Sequence, residues 1–329
     1  MDATLDERGT RGYDIIGDVH GCAAKLEALL VDLGYRPDAP NGAYRHPLRT
    51  VIFVGDLIDR GPEQLRVLEV AKAMADAGTA QVVMGNHEFN AIAYATESPA
   101  ESGNYLRPHT DKNDHQHRAF LEQLSDVQRA HYLDWFMTLP LWLDLDGLRV
   151  VHACWHPESV AVVQAELGGN RFTSIDQLVR ATTDGEPLYQ AIETLLKGPE
   201  LSLTEHGQPA YRDKDGQVRT SARVRWWGET ASSLGETVLV ESTFTTEDGS
   251  PYPPLNHVAA PAASHSYGYD GPVPVFFGHY WRGGTPEHLV DWTARTACLD
   301  FSAVKGEALT AYRWSGESEV RAENFVQRA

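Results

Sequence analysis

The residues best able to do chemistry in this chain stand in short polar blocks that contain glycine. In chain order these are Gly17-Asp18-Val19-His20-Gly21, Gly55-Asp56-Leu57-Ile58-Asp59-Arg60-Gly61, Gly85-Asn86-His87-Glu88, and then two isolated histidines, His152 and His279. Carboxylate, amide and imidazole groups gathered together are the ligands of a hard or borderline divalent metal ion. The glycines let the backbone turn sharply and let a ligand approach closely. The pattern therefore predicts a metal site.

Each block follows a run of residues that reads as a buried strand. The runs are Tyr13–Ile16, Thr50–Val54, Gln81–Met84, Leu148–Val151 and Val273–Phe277. From Tyr13 to about Tyr94, strand patterns alternate with helix patterns, which predicts βαβ units and a largely parallel first sheet. The polar blocks then lie at the carboxyl ends of the strands, where open α/β sheets place their binding crevices.

The blocks and their order resemble those of the calcineurin-like metallophosphoesterases. The Gly-Asp-x-x-Asp-Arg-Gly pattern over Gly55–Gly61 is typical of the phosphoprotein-phosphatase branch, which includes the Ser/Thr protein phosphatases. The stretches His152–Trp155 and Leu299–Val304 look like those of bacterial members such as the symmetrical diadenosine tetraphosphatases. This resemblance implies an α/β fold: a four-layer sandwich of two mixed β-sheets flanked by helices, with a metal site at the carboxyl ends of the strands.

The resemblance also implies which residues bind metal. Asp18 and His20 would bind a first divalent ion, Asp56 would bridge two ions, and Asn86, His152 and His279 would complete the second. Neutral imidazoles suit Mn, Fe and Zn better than Mg or Ca, so we expect two Mn²⁺ ions, with a mixed Fe/Zn pair as the alternative. Seven histidines without a preceding strand are not expected to bind metal: His109, His115, His117, His206, His257, His265 and His288.

The same resemblance implies a mechanism of phosphoester hydrolysis. Two ions that share a water lower its pKa, so a metal-bridging hydroxide is the expected nucleophile, attacking phosphorus in line. The departing oxygen needs a proton, and in the family pattern His87 supplies it while Asp59 orients His87. Arg60 would direct two donors at phosphoryl oxygens. The alternative for Arg60 is a structural salt bridge, for example with Glu88.

A second phosphate-binding arginine is usual in this branch, from the region between the last two histidine positions. Arg223 and Arg225 are the candidates, because alternation along a strand would place both on one face. Arg225 is the preferred one. Beside them, Trp226 and Trp227 either stack a base of a nucleotide substrate or belong to the core.

Composition limits the location and the partners. The chain has 46 acidic and 28 basic residues and a formal charge of −18, which argues against a nucleic acid polymer as partner. A pocket that holds two cations can still attract phosphate. No apolar run approaches a membrane span, and the N-terminus lacks the regions of a secretory signal. We therefore expect a cytoplasmic protein without membrane contact; its oligomeric state is open.

Residues 1–11 are predicted to form a flexible tail, and residues 12–329 a single metallophosphoesterase domain with insertions near 96–118 and 156–272. The first expectation for function is a phosphomonoesterase acting on a phosphoprotein or a small phosphate. The alternative is a hydrolase of dinucleoside polyphosphates of the diadenosine tetraphosphate type. A non-catalytic metal-binding scaffold is a third possibility, and it is disfavoured because a scaffold has no use for a general acid.

Overall fold

The computed structural model describes residues 12–38, 42–213, 216–228, 231–240 and 243–329. The tail predicted over residues 1–11 lies outside these ranges. The chain divides into two compact units: the first comprises the described residues up to Lys197 and from Gly271 onward, and the second runs from Gly198 to Asp270. The sequence-based boundaries of one domain with two insertions stay a prediction.

The secondary structure begins with alternating strands and helices. Up to the end of the first segment the elements are β1 (Gly12–Ile16), α1 (Ala23–Asp32), β2 (Arg36–Pro37), β3 (Tyr44–Arg45), β4 (Arg49–Phe53), α2 (Gln64–Asp76), β5 (Ala80–Val82), α3 (Asn86–Ala95), α4 (Asp111–Gln123), α5 (Asp126–Phe136), β6 (Trp142–Leu145), β7 (Leu148–Val151), α6 (Pro157–Leu167), α7 (Ile175–Thr182) and α8 (Pro187–Lys197). The second unit contains β8 (Glu200–Ser202), β9 (Tyr211–Arg212), β10 (Val218–Arg219), β11 (Ser221–Arg223), α9 (Leu234–Thr237) and β12 (Thr245–Thr246). The chain ends with β13 (Val275–Phe277), β14 (Thr296–Cys298), β15 (Leu309–Trp314) and β16 (Phe325–Arg328). Among the described helices, none has the length and apolar character needed to cross a bilayer.

Two mixed sheets form the centre of the first unit. Their strand orders are β16-β15-β1-β4-β5 and β14-β13-β7-β6. In the first sheet β1 runs parallel to β4 and antiparallel to β15, so that Ile15 lies opposite Ile52 and Tyr312. One hydrophobic core contains Ile15 and Ile52 from this sheet together with Val150 and Phe276 from the other, so the two sheets pack face to face. The predicted α/β architecture of two mixed sheets with helices is confirmed.

The apolar runs that precede the polar blocks are buried on both faces of the sheets. Every residue of β1 is buried, which is typical of a strand covered on both sides. The helix that follows, α1, buries Leu26, Leu29 and Leu30 along one stripe. Soon after its end, Gly34 takes a φ of +93°, a conformation that glycine adopts without steric cost. Strand and helix thus fix the loop between them, which carries the first polar block.

The segment predicted as an insertion near residues 96–118 forms a loop after α3 and the first part of α4. The hydroxyl of Thr110 accepts the backbone N–H of Asn113 at 3.3 Å and so caps α4. Within the loop, the ring of His109 stacks on the rings of Tyr94 and Tyr105, with centroid distances of 3.8 Å and 3.9 Å. These aromatic contacts hold the loop against α3.

The second unit consists of short strands around a core of its own. Its strands pair as β10-β9-β12 and β11-β8. The buried side chains of its core are Leu203, Tyr211, Ala222, Leu234, Val238, Phe244 and Leu255. Trp226 and Trp227 are each only 1% exposed and meet edge to face at 6.2 Å. This burial favours the core interpretation of the tryptophan pair over an open stacking platform.

Candidate metal centre

The loops at the strand ends have backbone conformations that are rare for residues with a side chain. A positive φ occurs at His20 (44°), Asp56 (51°), Asp59 (70°), Arg60 (71°) and His279 (76°). Such conformations cost about 1–3 kcal/mol each and cluster at functional sites. Between two of these loops, a Cβ on Gly55 would lie 2.5 Å from the backbone nitrogen of Gly85. Glycine therefore lets the two loops meet backbone to backbone.

On one side of the centre His20 lies beside Asp56, and Asp18 lies beside the backbone of His279. The Nε2 atom of His20 lies 3.5 Å from Oδ2 of Asp56. The Oδ2 atom of Asp18 accepts the backbone N–H of His279 at 3.0 Å. A Cβ on Gly278 would lie 1.9 Å from the other carboxylate oxygen of Asp18, so only glycine leaves room for this carboxylate. The structure thus brings His20 beside the predicted bridging carboxylate and Asp18 beside His279, another predicted ligand.

Asn86, His152 and His279 meet on the other side of Asp56. The Oδ1 atom of Asn86 lies 3.0 Å from Nε2 of His152 and 2.8 Å from Nδ1 of His279. The Nε2 atom of His152 is also 3.4 Å from Oδ1 of Asp56. Because Nδ1 of His152 lies 2.8 Å from the carbonyl oxygen of Val54, which can only accept, Nε2 of the neutral ring presents a lone pair to these oxygens. Several electron-pair donors therefore converge on one point.

This donor set fits divalent cations. Oδ1 of Asp18 and Nε2 of His20 are buried and have no hydrogen-bond partner in the described part of the chain. Nδ1 of His20 donates to the carbonyl of Ile58 at 2.7 Å, which leaves the lone pair on Nε2. Burial, reinforced by repulsion from His87, lowers the pKa of His20 to about 3, so the ring stays in the neutral form that binds metal.

On the second side of the centre, the carboxylate of Asp56 also favours a positive charge nearby. Burial opposes charging of His152, but the carboxylate of Asp56 outweighs it and raises the pKa of His152. Two groups of side chains have ligand atoms within 4.8 Å of one another, namely His20, Asp56 and His87, and Asp56, His152 and His279. Asp56 belongs to both groups, and the described residues can therefore hold metal.

His87 and Asp59 form a buried pair at the edge of this centre. Nδ1 of His87 lies 2.5 Å from Oδ2 of Asp59, and the backbone N–H of His87 donates to Oδ1 of Asp56 at 3.0 Å. Burial opposes the charged ring, but Asp56 and Asp59 outweigh it and raise the pKa of His87. Although burial alone would raise the pKa of Asp59, hydrogen bonds from His117 and His87 bring it down to about 2. The pair therefore combines an ionised carboxylate with an imidazole that is readily protonated.

His117 is a residue that sequence reasoning set aside. Its Nδ1 lies 2.8 Å from Oδ1 of Asp59, and its side chain is buried. No strand precedes it, since it lies within α4, so no local signal marked it as part of the site.

Glu88 has a structural function in the loops. Its two carboxylate oxygens accept the backbone N–H groups of Asp56 at 2.9 Å, Leu57 at 2.8 Å and Gly85 at 2.9 Å. A fully buried carboxylate that binds three backbone donors holds two of the polar blocks together. The alternative of a salt bridge between Glu88 and Arg60 is wrong, because the oxygens of Glu88 serve the backbone instead.

Arg60 instead lies over an aromatic ring. Its Cζ atom is 4.4 Å from the centroid of Trp281, and Nζ of Lys305 is 4.2 Å from the same ring. The indole also stacks on His20, with centroids 5.4 Å apart and ring planes at 17°. The backbone N–H of Trp281 donates to the buried carboxylate of Asp300 at 2.7 Å. Sequence reasoning missed Trp281, although its position two residues after His279 was an available signal.

The two candidate phosphate-binding arginines belong to the second unit. Arg223 donates to the carbonyl of Gly198 at 3.0 Å and lies 3.4 Å from a carboxylate oxygen of Glu200. Arg225 lines a cavity of about 440 Å³ together with Trp226. A phosphate-binding role for either arginine stays a prediction.

The chain is similar in sequence to bis(5'-nucleosyl)-tetraphosphatases. It is 27% identical to the symmetrical bis(5'-nucleosyl)-tetraphosphatase of Chromohalobacter salexigens, over 90% of this chain and 92% of that protein. It is 30% identical to the asymmetrical bis(5'-nucleosyl)-tetraphosphatase of Oceanobacillus iheyensis, over 43% of this chain and 54% of that protein. The chain spans only about half the length of this asymmetrical relative.

The fold is shared with a solved protein phosphatase, and the family follows from the sequence. A protein serine/threonine phosphatase from Saccharomyces cerevisiae superimposes with a TM-score of 0.52 at 14% identity, over 96% of this chain and 78% of that one. The sequence model of the calcineurin-like phosphoesterases matches residues 13–279. That range contains every polar block and both isolated histidines. The chain therefore belongs to the calcineurin-like phosphoesterase family.

Proposed function

We propose that this protein is a phosphoester hydrolase that works with two divalent cations. The observation that carries the proposal is the position of Asp56. Its Oδ2 faces Nε2 of His20 at 3.5 Å, and its Oδ1 faces Nε2 of His152 at 3.4 Å. One carboxylate with a ligand group opposite each oxygen is suited to bridge two cations.

The proposed ligands divide into two sets that share Asp56. Asp18 and His20 would complete the first set, and Asn86, His152 and His279 would complete the second. When bound, such cations activate water and neutralise charge on a phosphoryl group. Three neutral imidazoles among the ligands favour Mn²⁺, with a mixed Fe/Zn pair as the alternative.

The protein's own side chains would handle the proton and the phosphate. His87, held through Nδ1 by Asp59, would donate a proton from Nε2 to the departing oxygen. Arg60, exposed and stacked on Trp281, would direct its guanidinium at phosphoryl oxygens.

The geometry favours a phosphomonoester with a poor leaving group. A general acid such as a buried histidine held by a carboxylate accelerates the reaction most when the departing oxygen is basic, as in a phosphoserine or an alkyl phosphate. Cleavage of a phosphoanhydride releases a weakly basic phosphate oxygen and needs such an acid less. We therefore place phosphomonoester hydrolysis, on a phosphoprotein or a small phosphate, first.

Hydrolysis of a dinucleoside polyphosphate is the second candidate. It is favoured by the similarity to a symmetrical tetraphosphatase, which extends along most of both chains. The two candidates differ in the leaving group, so they predict different dependence on His87.

A substrate panel tests both. Metal-stripped protein is reconstituted with Mn²⁺ and assayed with p-nitrophenyl phosphate, a phosphoserine peptide and diadenosine tetraphosphate, beside an Asp56→Asn control that should bind neither ion firmly. Faster turnover of the peptide than of the tetraphosphate supports the phosphomonoesterase. The reverse order supports the second candidate, and absence of metal-dependent hydrolysis of all three overturns the proposal.

A further inference from the structure

We infer that His117 is a positioning residue. It holds the carboxylate of Asp59, so that Asp59 can in turn hold His87, the proposed general acid. This inference rests on the proposed function. The observation behind it is that the two oxygens of one carboxylate are each bound by a histidine. Oδ2 of Asp59 lies 2.5 Å from Nδ1 of His87, and Oδ1 lies 2.8 Å from Nδ1 of His117.

Asp59 needs such support because its own segment is irregular. It lies outside any helix or strand, with a φ of +70°, and its backbone N–H donates to Oε1 of Gln64 at 2.7 Å. That contact holds the main chain but leaves the carboxylate free to rotate about its Cβ–Cγ bond. A donor on Oδ1 removes this rotation, so Oδ2 stays directed at His87.

His117 is itself held firmly. It lies within α4, the residue is 5% exposed, and its ring stacks on Phe120 with centroids 4.9 Å apart at 25°. The ring of Tyr94, from α3, lies 5.2 Å away on the other helix. Because α3 carries His87 and α4 carries His117, the carboxylate of Asp59 joins the two helices through their histidines.

Three substitutions of His117 that differ in where they place a donor can separate this function from ordinary core packing. An asparagine side chain carries its N–H₂ group on Cγ, where histidine carries Nδ1, so His117→Asn keeps a donor near Oδ1 of Asp59. Glutamine carries the same group one carbon further out, and leucine has no donor. The exposed His115, on the same helix, supplies the matched control His115→Leu.

The first test is kinetic. Mn²⁺-loaded wild type, His117→Asn, His117→Gln, His117→Leu and His115→Leu are assayed with phenyl phosphate and with p-nitrophenyl phosphate, whose leaving group is less basic. We expect His117→Leu to lower kcat for phenyl phosphate about 10–100-fold, less than the ~10²–10⁴-fold of a lost general acid, with KM nearly unchanged. The loss should be smaller for p-nitrophenyl phosphate, and His117→Asn should restore most of the turnover whereas His117→Gln should not.

The second test reads the hydrogen bond itself. In protein loaded with diamagnetic Zn²⁺, proton NMR should show a low-field N–H resonance of His87, assigned by its loss in His87→Ala. This resonance should keep its position in His117→Asn and move in His117→Gln.

Several results would contradict the inference. His117 is only a packing residue if His117→Asn has a kcat no higher than that of His117→Gln. The same conclusion follows if the losses are equal for both phosphate esters, or if the His87 resonance does not move in His117→Gln. If His117→Leu does not fold, the comparison of asparagine with glutamine decides. If the wild type turns over these esters with metal, such a result refutes the inference alone. If the wild type hydrolyses neither these esters nor the substrates of the panel above, the proposed function is refuted as well.

Discussion

Replacing Trp281 should weaken phosphate binding through Arg60. Arg60 is exposed, and within the described part of the chain its contact with the indole at 4.4 Å is the one that fixes the direction of its guanidinium. An exposed cation–π contact is worth about 0.5–1 kcal/mol. Without the indole, the Arg60 side chain also regains rotamer freedom. Its full rotamer entropy is worth about 2 kcal/mol, and part of this is lost again when the side chain binds phosphate. Together these give about 1–2 kcal/mol, or a ~5–30-fold fall in kcat/KM for Trp281→Leu.

A double-mutant cycle is the appropriate assay. The values of kcat/KM for p-nitrophenyl phosphate are measured for wild type, Trp281→Leu, Arg60→Ala and the double variant. If Trp281 acts through Arg60, its replacement should change kcat/KM by less than about twofold once Arg60 is absent. Because Trp281 also stacks on His20, metal content is measured for each protein by elemental analysis. A loss of equal size in both backgrounds, with metal content unchanged, would refute the reasoning.

Removing metal with a chelator should abolish hydrolysis of p-nitrophenyl phosphate, and Mn²⁺ should restore it better than Mg²⁺ or Ca²⁺; full activity in chelator contradicts the two-metal proposal. His87→Ala should retain both ions and lose about 10²–10⁴-fold in kcat for phenyl phosphate, and less for p-nitrophenyl phosphate. Equal losses for the two esters would argue against a general acid. Asp14 is fully buried and binds both Arg49 and Arg313, so Asp14→Ala should lower the free energy of unfolding by about 3–5 kcal/mol in a denaturant titration. A loss below about 1 kcal/mol would show that this buried ion-pair network contributes little. Trp227→Ala should cost about 3–5 kcal/mol of stability, whereas a rise in KM confined to diadenosine tetraphosphate would restore the stacking interpretation.

Much of the candidate centre could be predicted from residue order. Asp18, Asp56 and Asn86 each follow an apolar run after a single glycine, and the ends of parallel strands meet at one edge of a sheet. Strand alternation and glycine turns act over a few residues, so they can be read locally. The structure brings together all six predicted ligands and the pair of His87 with Asp59.

Other parts of the centre depended on contacts between distant segments. The second histidine on Asp59 lies 58 residues further along the chain, in a helix whose sequence offers both His115 and His117. Which of them faces Asp59 depends on the rotation of α4, and that rotation is set by the burial of Phe120 on the same face. The ring of Trp281 likewise follows β13 in one sheet, and it meets Arg60, which follows β4 in the other, only because the two sheets pack face to face. Strand ends follow from local rules, whereas such pairings follow from how apolar surfaces are buried over the whole fold.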